Sequence, residues 1–226
     1  MNHDIKGEIT IDIEKFENVR WSNRDMWIQR WHHIASEMVL EEPILDTGGG
    51  DGTFALQLQK RGFNKITVTD VSPVAVAKAR AKGFEAHVLN AGQLPLPYED
   101  GAFATVTLIE LLEHLYDPLS LLKECARVGK TVVLSVPNFN YFKDRLYMLG
   151  GYIPPALNPK NGHIHWFNHT ILQRMLDEAN LEVESEVFIT PKRFLPKFVW
   201  RVLGRLMPNL FVAGYIVKCK NNKTQV

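Results

Sequence analysis

An acid followed by alternating glycines, Asp46-Thr47-Gly48-Gly49-Gly50-Asp51-Gly52, is the stretch of this chain best suited to holding a ligand. Glycine loses more backbone entropy on folding than any other residue, so Gly48, Gly49, Gly50 and Gly52 are costly as ordinary structure. They let a ligand approach bare backbone where a helix begins, and the unpaired N–H groups there favour polar acceptors or negative charge. The spacing excludes two common occupants. A dinucleotide turn requires Gly-x-Gly-x-x-Gly or -Ala, and no register fits. A P-loop requires Gly-Lys-Ser/Thr, which does not follow. A tight strand-to-helix turn without a ligand is the remaining structural alternative. Further along, Asp70, Glu113-His114, Tyr141, His163 and His165 carry the other groups able to accept protons or hydrogen bonds near such a turn. His163 and His165 at i, i+2 could share a metal, but no third ligand stands at suitable spacing, so no metal site is expected.

The elements that position these residues follow an alternating pattern. Pro43–Thr47 reads as a strand, Thr53–Arg61 as a helix stopped at Gly62, and Lys65–Asp70 as a second strand. Ser72-Pro73 opens a helix to Lys82, stopped at Gly83. Strands then follow at Glu85–Leu89, Ala104–Ile109 and Thr131–Val136, with a helix over Pro118–Val128 before the last of them. Asn168 or Thr170 caps a helix through Ala179; Leu181–Ile189 and Leu210–Lys218 close the chain as strands. The pattern predicts an α/β fold: a Rossmann-like open sheet, mostly parallel with an antiparallel last strand, and helices on both faces. Residues 1–40 form an N-terminal arm and helix, with Ile9, Ile11 and Ile13 alternating and Trp27, Trp31, Ile34 and Met38 at helical spacing. Residues 41–226 form the main domain, in which the aromatic- and histidine-rich segment 137–168 is an insertion. Across an open sheet a ligand lies at the carboxyl ends of the strands, which puts Asp70 in reach of ribose hydroxyls.

Composition narrows the partners. The 226 residues are 46% hydrophobic and 23% charged, with a net charge of +1, so no nucleic-acid partner is expected. Cys125 and Cys219 lie in apolar segments without ligand spacing and read as buried free thiols. No apolar run approaches the roughly 18 residues of a membrane span, and no signal peptide is evident, so a cytoplasmic protein is expected. Basic and apolar residues interleave over 192–205. That reads as a surface helix whose Arg stems cover apolar neighbours, with peripheral membrane contact as the less favoured reading.

The acid-first glycine spacing resembles motif I of the class I S-adenosylmethionine-dependent methyltransferases. The resemblance implies S-adenosylmethionine as cofactor, with Asp46 near its methionine end and Gly48, Gly49, Gly50 and Gly52 beneath it. Leu89-Asn90-Ala91-Gly92-Gln93-Leu94-Pro95 resembles the segment in which a polar residue and the next backbone N–H read the adenine edge. It assigns that role to Asn90 and Ala91, with Asn90 standing where an Asp is usual; Ala104 stands where an acid is common. Val71 and Ile109 complete the implied cofactor set. Glu113-His114 matches the pair that follows strand four in this group, next to the sulfonium. There His114 either acts as a general base or fixes the loop through backbone hydrogen bonds.

Arg127-Val128-Gly129-Lys130, Val136-Pro137-Asn138-Phe139, His163-Ile164-His165-Trp166-Phe167-Asn168 and Leu206-Met207-Pro208-Asn209-Leu210 resemble, in order and spacing, the methionine biosynthesis protein W (MetW-like) branch of methyltransferase type 11, over about residues 40–218. The implied function is methyl transfer to a small-molecule acceptor. The alternative is a non-catalytic cofactor-binding partner of a biosynthetic enzyme, such as a homoserine acyltransferase. The acceptor would enter beside strands four and five, where Tyr141, His163 and His165 offer polar tips from the 137–168 segment. Phe142, Tyr147 and Phe167 read as packing residues of that segment.

Overall fold

The structure, a computed structural model, describes residues 29–39, 41–154, 157, 161–190 and 196–221. Ile9, Ile11, Ile13 and Trp27 lie outside them. Among the described residues seven strands form one sheet: β1 (Ile44–Thr47), β2 (Ile66–Asp70), β3 (Glu85–Val88), β4 (Phe103–Ile109), β5 (Gly129–Pro137), β6 (Leu181–Ile189) and β7 (Gly214–Asn221). Their order is β3-β2-β1-β4-β5-β7-β6. The first five pair in parallel, and β7 runs antiparallel to both β5 and β6. The expected last strand is therefore inserted between its predecessor and the parallel block.

Helices α1 (Gln29–Met38), α2 (Thr53–Lys60) and α3 (Pro73–Ala81) contribute Ala35, Met38, Phe54, Leu58, Val76 and Ala79 to a core with Ile44, Val68, Val133 and Ile216. Helices α4 (Pro118–Val128) and α6 (His169–Glu178) place Leu121, Leu122, Leu172 and Leu176 on the opposite core, with Leu45, Val132, Leu134 and Val217. Neighbours such as Leu134 and Val133 enter opposite cores because side chains alternate across a strand. The caps are those the residue types demand. Ser72 Oγ accepts from Ala75 N–H, Asp117 from Ser120 N–H and Asn168 from Ile171 N–H. Cys125 and Cys219 are buried free thiols, and burial pushes Cys219 up to about 12.

The 137–168 insertion contains its own helix, α5 (Phe142–Leu149). Phe139 N–H donates to Phe167 carbonyl at 2.9 Å, closing the segment at its base. Phe167 is buried as expected, whereas Tyr147 is exposed: α5 turns that face away from the sheet. The last strand begins at Gly214, not at Leu210, because Pro208–Phe211 form a helical turn after α7 (Lys197–Leu206). Asn138 explains the turn. Its buried amide faces the carbonyls of Asn209 (3.1 Å) and Val212 (2.6 Å), and its Oδ1 accepts from Asn140 N–H at 2.9 Å. The side chain thus pins the insertion's base to the turn that feeds β7. Asn138→Ala strands buried carbonyls and should lower unfolding free energy by about 2 kcal/mol. A shift in the urea midpoint at unchanged slope is the measure.

Candidate functional site

The ends of four parallel strands converge where the strand order reverses, between β1 and β4. A cavity of about 220 Å³ opens there, lined by Gly48 after β1, Val71 after β2, Leu89 to Gly92 after β3, and Glu110, Leu111 and His114 to Asp117 after β4. This is the ligand position that an open α/β sheet provides. Of the residues expected at a cofactor, Gly48, Val71, Asn90 and Ala91 border it, and of those expected on the acceptor side, His114 does.

The glycines divide their tasks. Gly48 has φ +68, and a Cβ there would lie 2.7 Å from Leu111 Cδ1 across the cavity wall, so a side chain at 48 would close the floor. Gly49 is held to glycine by packing, since its Cβ would fall 2.3 Å from Asp46 Oδ2. Gly50 N–H donates to Asp70 Oδ2 at 3.0 Å, and Ser72 N–H donates to Asp70 Oδ1 at 2.9 Å. Asp70 thus ties the glycine turn to the end of β2. Gly52 precedes α2, where Thr53 N–H and Oγ1 both donate to Asp51, itself paired with Lys82 at 2.7 Å.

Asp46 does not reach the cavity. It lies buried beneath the turn, where Thr107, its register partner on β4, donates to Oδ1 at 2.8 Å. Burial pushes its carboxyl up to about 7, against the pull of the Thr107 hydroxyl and with the Asp70 charge adding to the rise. Ile109 is likewise a core residue, and its successor Glu110 supplies the lining. Asn90 Oδ1 accepts from Gly92 N–H at 2.9 Å, which shapes the loop that lines the cavity after β3.

Glu110 was missed from the sequence. It holds φ 54, its N–H donates to Ser135 Oγ at 3.0 Å, and Ser135 Oγ donates back to Oε1 at 3.1 Å. No residue type announces that conformation; its place one step past β4 was the available signal. Asp117 also borders the cavity, and hydrogen bonds from Ser120 hold its carboxyl below the usual range.

Glu113 and His114 sit on a 3-10 turn (Leu112–His114) and part ways. Glu113 is completely buried, and its carbonyl accepts from Ile164 N–H at 2.8 Å and His165 N–H at 3.1 Å. His114 Nδ1 donates to Gly162 carbonyl at 3.0 Å, so this ring fixes the loop through backbone while bordering the cavity. His163 packs edge-on to His114 with centroids 4.9 Å apart and places Nε2 4.0 Å from Glu113 Oε1. His165 points elsewhere, its Nε2 3.2 Å from Tyr116 carbonyl. Tyr141 is buried edge-on against Phe142, 4.7 Å between centroids, and is not part of the cavity lining. Burial pushes its phenol up to about 12, with the Asp144 charge adding to the rise, so it stays protonated at neutral pH.

S-adenosylmethionine fits this arrangement. A side-chain-free floor at Gly48, a polar loop at Asn90 to Gly92 and a β2-end carboxyl group suit a nucleoside, and Glu110 and Asp117 place carboxyl groups at the β4 side.

Comparison with known proteins agrees. A family model described as a methyltransferase domain matches residues 18–186. A demethylmenaquinone methyltransferase of Thermus thermophilus is 36% identical over 48% of this chain and 54% of its own. A ubiquinone biosynthesis O-methyltransferase of Sodalis glossinidius is 32% identical over 53% of this chain and 54% of its own. The chain thus spans about half the length of these curated relatives, while one from Aliivibrio fischeri is 28% identical over 76% of this chain and 82% of its own. Among solved structures, magnesium protoporphyrin IX methyltransferase of Synechocystis PCC 6803 with bound SAH superposes with a TM-score of 0.64 at 14% identity, over 93% of this chain and 98% of its own. A SAM-dependent methyltransferase of Archaeoglobus fulgidus gives 0.61 at 18%, over 92% and 97%. Both show the shared fold.

The state of Asp46 has a consequence for stability. Its folded value of about 7 lies above the ~3.9 of an unfolded Asp, so the native state retains a proton that the unfolded chain releases. Its contribution is intact below pH ~4 and falls as pH rises toward 7, by at most about 4 kcal/mol. Asp46→Asn removes this titration. Its stability relative to the parent should therefore improve steadily between pH 4 and 7, as denaturation midpoints across that range would show; a constant difference would contradict the buried-acid assignment.

Proposed function

The chain belongs to the methyltransferase domain family, and from that premise we propose that it transfers a methyl group from S-adenosylmethionine to a small aromatic acceptor. The observation that carries this reading is the convergence of Gly48, Val71, Asn90, Ala91, Glu110 and His114 on one cavity at the strand reversal. When bound, S-adenosylmethionine supplies a methyl group already activated on a sulfonium. The chain's own part is to align the acceptor, and proximity can supply much of the barrier reduction. Asp70 and the Asn90 loop hold the nucleoside end, with Gly48 as the floor. Glu110 and His114 border the opposite side, where their polar groups can orient an acceptor hydroxyl.

An acceptor with an apolar tail is supported by two features. Two of the relatives described above are named as a demethylmenaquinone methyltransferase and a ubiquinone biosynthesis O-methyltransferase. On α7, Phe198, Val202 and Leu206 form an exposed apolar row at four-residue spacing, beside exposed Arg201 and Arg205. This arrangement suits a lipid-like molecule or peripheral membrane contact better than a helix whose Arg stems merely cover core neighbours. Among the described residues no helix is long and apolar enough to cross a membrane. The finer MetW-like placement draws support from Asn138, which joins the Pro137-Asn138 and Pro208-Asn209 motifs in one clamp.

Calorimetry with S-adenosylhomocysteine should show binding by the parent chain and at least tenfold weaker binding by Asp70→Ala, with circular dichroism as the folding control. Radiolabelled methyl transfer to a panel of aromatic hydroxyl acceptors with and without prenyl tails then tests turnover. Unchanged affinity in Asp70→Ala would sink the site assignment. Binding without transfer to any acceptor, together with co-purification of a homoserine acyltransferase, would favour the partner role.

A further inference from the structure

The insertion and the turn after β4 bring together three side chains that neither segment unites alone. Ligand-capable atoms of Glu113, His114 and His163 all lie within 4.8 Å of one another. His163 and His165 stand at i, i+2, but His165 turns to the Tyr116 carbonyl while His163 faces Glu113. The other two ligands, Glu113 and His114, come from the 3-10 turn after β4, far from His163 in the chain. We propose that Glu113, His114 and His163 bind a first-row divalent cation, of the zinc type, at the edge of the cavity.

Four observations converge on this site. Glu113 is 0% exposed, so its carboxylate meets an ion away from competing water, where charge attraction is strongest. His114 donates Nδ1–H to Gly162 carbonyl, which leaves Nε2 as the lone-pair nitrogen and fixes the ring, as second-shell carbonyls do for metal-bound imidazoles. His163 already stands 4.0 Å from Glu113 Oε1, so sub-ångström to ångström inward shifts bring these groups to coordination range. The two amides from Ile164 and His165 onto Glu113 carbonyl hold both segments in place before any ion arrives.

Two imidazoles and one carboxylate suit zinc and related borderline cations over magnesium or calcium, which prefer oxygen ligands. Three protein ligands leave a coordination position open. Because His114 belongs to both the cluster and the cavity wall, an oxygen of a molecule in the cavity can take that position. A cation there lowers the pKa of a bound hydroxyl. This role for the cation rests on the methyltransferase reading; the binding of the cation does not.

The full-length chain, stripped with a chelator, is titrated with Zn²⁺ by calorimetry, and with Co²⁺ while visible absorption is followed. The expected result is one equivalent bound at micromolar affinity or tighter, with Co²⁺ d–d bands. Glu113→Gln and His163→Ala should each weaken binding at least 100-fold, with far-ultraviolet circular dichroism confirming the fold. If the buried Glu113→Gln does not fold, the more accessible His163→Ala decides. An unchanged affinity in His163→Ala, or no binding by the parent chain, overturns the proposal and leaves Glu113 and His163 as an ion pair only. S-adenosylhomocysteine calorimetry in the presence of chelator tests the methyltransferase reading separately, so failure of one is distinguishable from failure of the other.

Discussion

The cavity end of this sheet depends on one carboxylate. Asp70 receives the N–H of Gly50 with one oxygen and the N–H of Ser72 with the other, so the turn after β1 and the start of α3 are referenced to the same point at the end of β2. Hydrogen bonds to a charged acceptor are worth roughly 1.5–3 kcal/mol, about twice those between neutral groups. That strength holds a turn whose glycines carry little side-chain packing of their own. The cavity wall at Gly48 and Val71 inherits its position from it, and no direct contact between those two residues is required.

Asp46 shows the opposite use of an acid. Buried under Gly49 and bonded to Thr107, it works as a packed, hydrogen-bonding core group whose charge is penalised by desolvation. The two acids stand on neighbouring strands, and environment alone separates their roles: Asp70 faces backbone donors, Asp46 faces a hydroxyl and apolar walls. The glycines are divided in the same way. Gly48 serves the cavity, whereas Gly49 is small because an acid lies beneath it.

The 137–168 segment is fastened to the sheet by two sets of hydrogen bonds. Asn138 fastens its base to the turn before β7, and the Glu113 carbonyl fastens its far end to the turn after β4. The described part of the segment therefore meets both the turn before β7 and the turn after β4. The exposed apolar row on α7 lies in the same C-terminal part of the chain, after β6.

The parallel block, its helix caps and the glycine turn were legible in the residues. Alternation of apolar and polar positions sets strand faces, Ser72, Asp117 and Asn168 announce caps, and the acid-glycine spacing marks one turn. These are local signals, acting over a few residues, and they survive into the structure nearly unchanged. The tertiary structure alone decided what required distant segments to meet. It placed β7 between β5 and β6, buried Asp46 away from the cavity, put Glu110 at a positive φ against Ser135, and set His163 beside Glu113 and His114. Periodicity reports which side of an element faces the core; it carries no information about which other element arrives there, because that is settled by packing across the whole sheet.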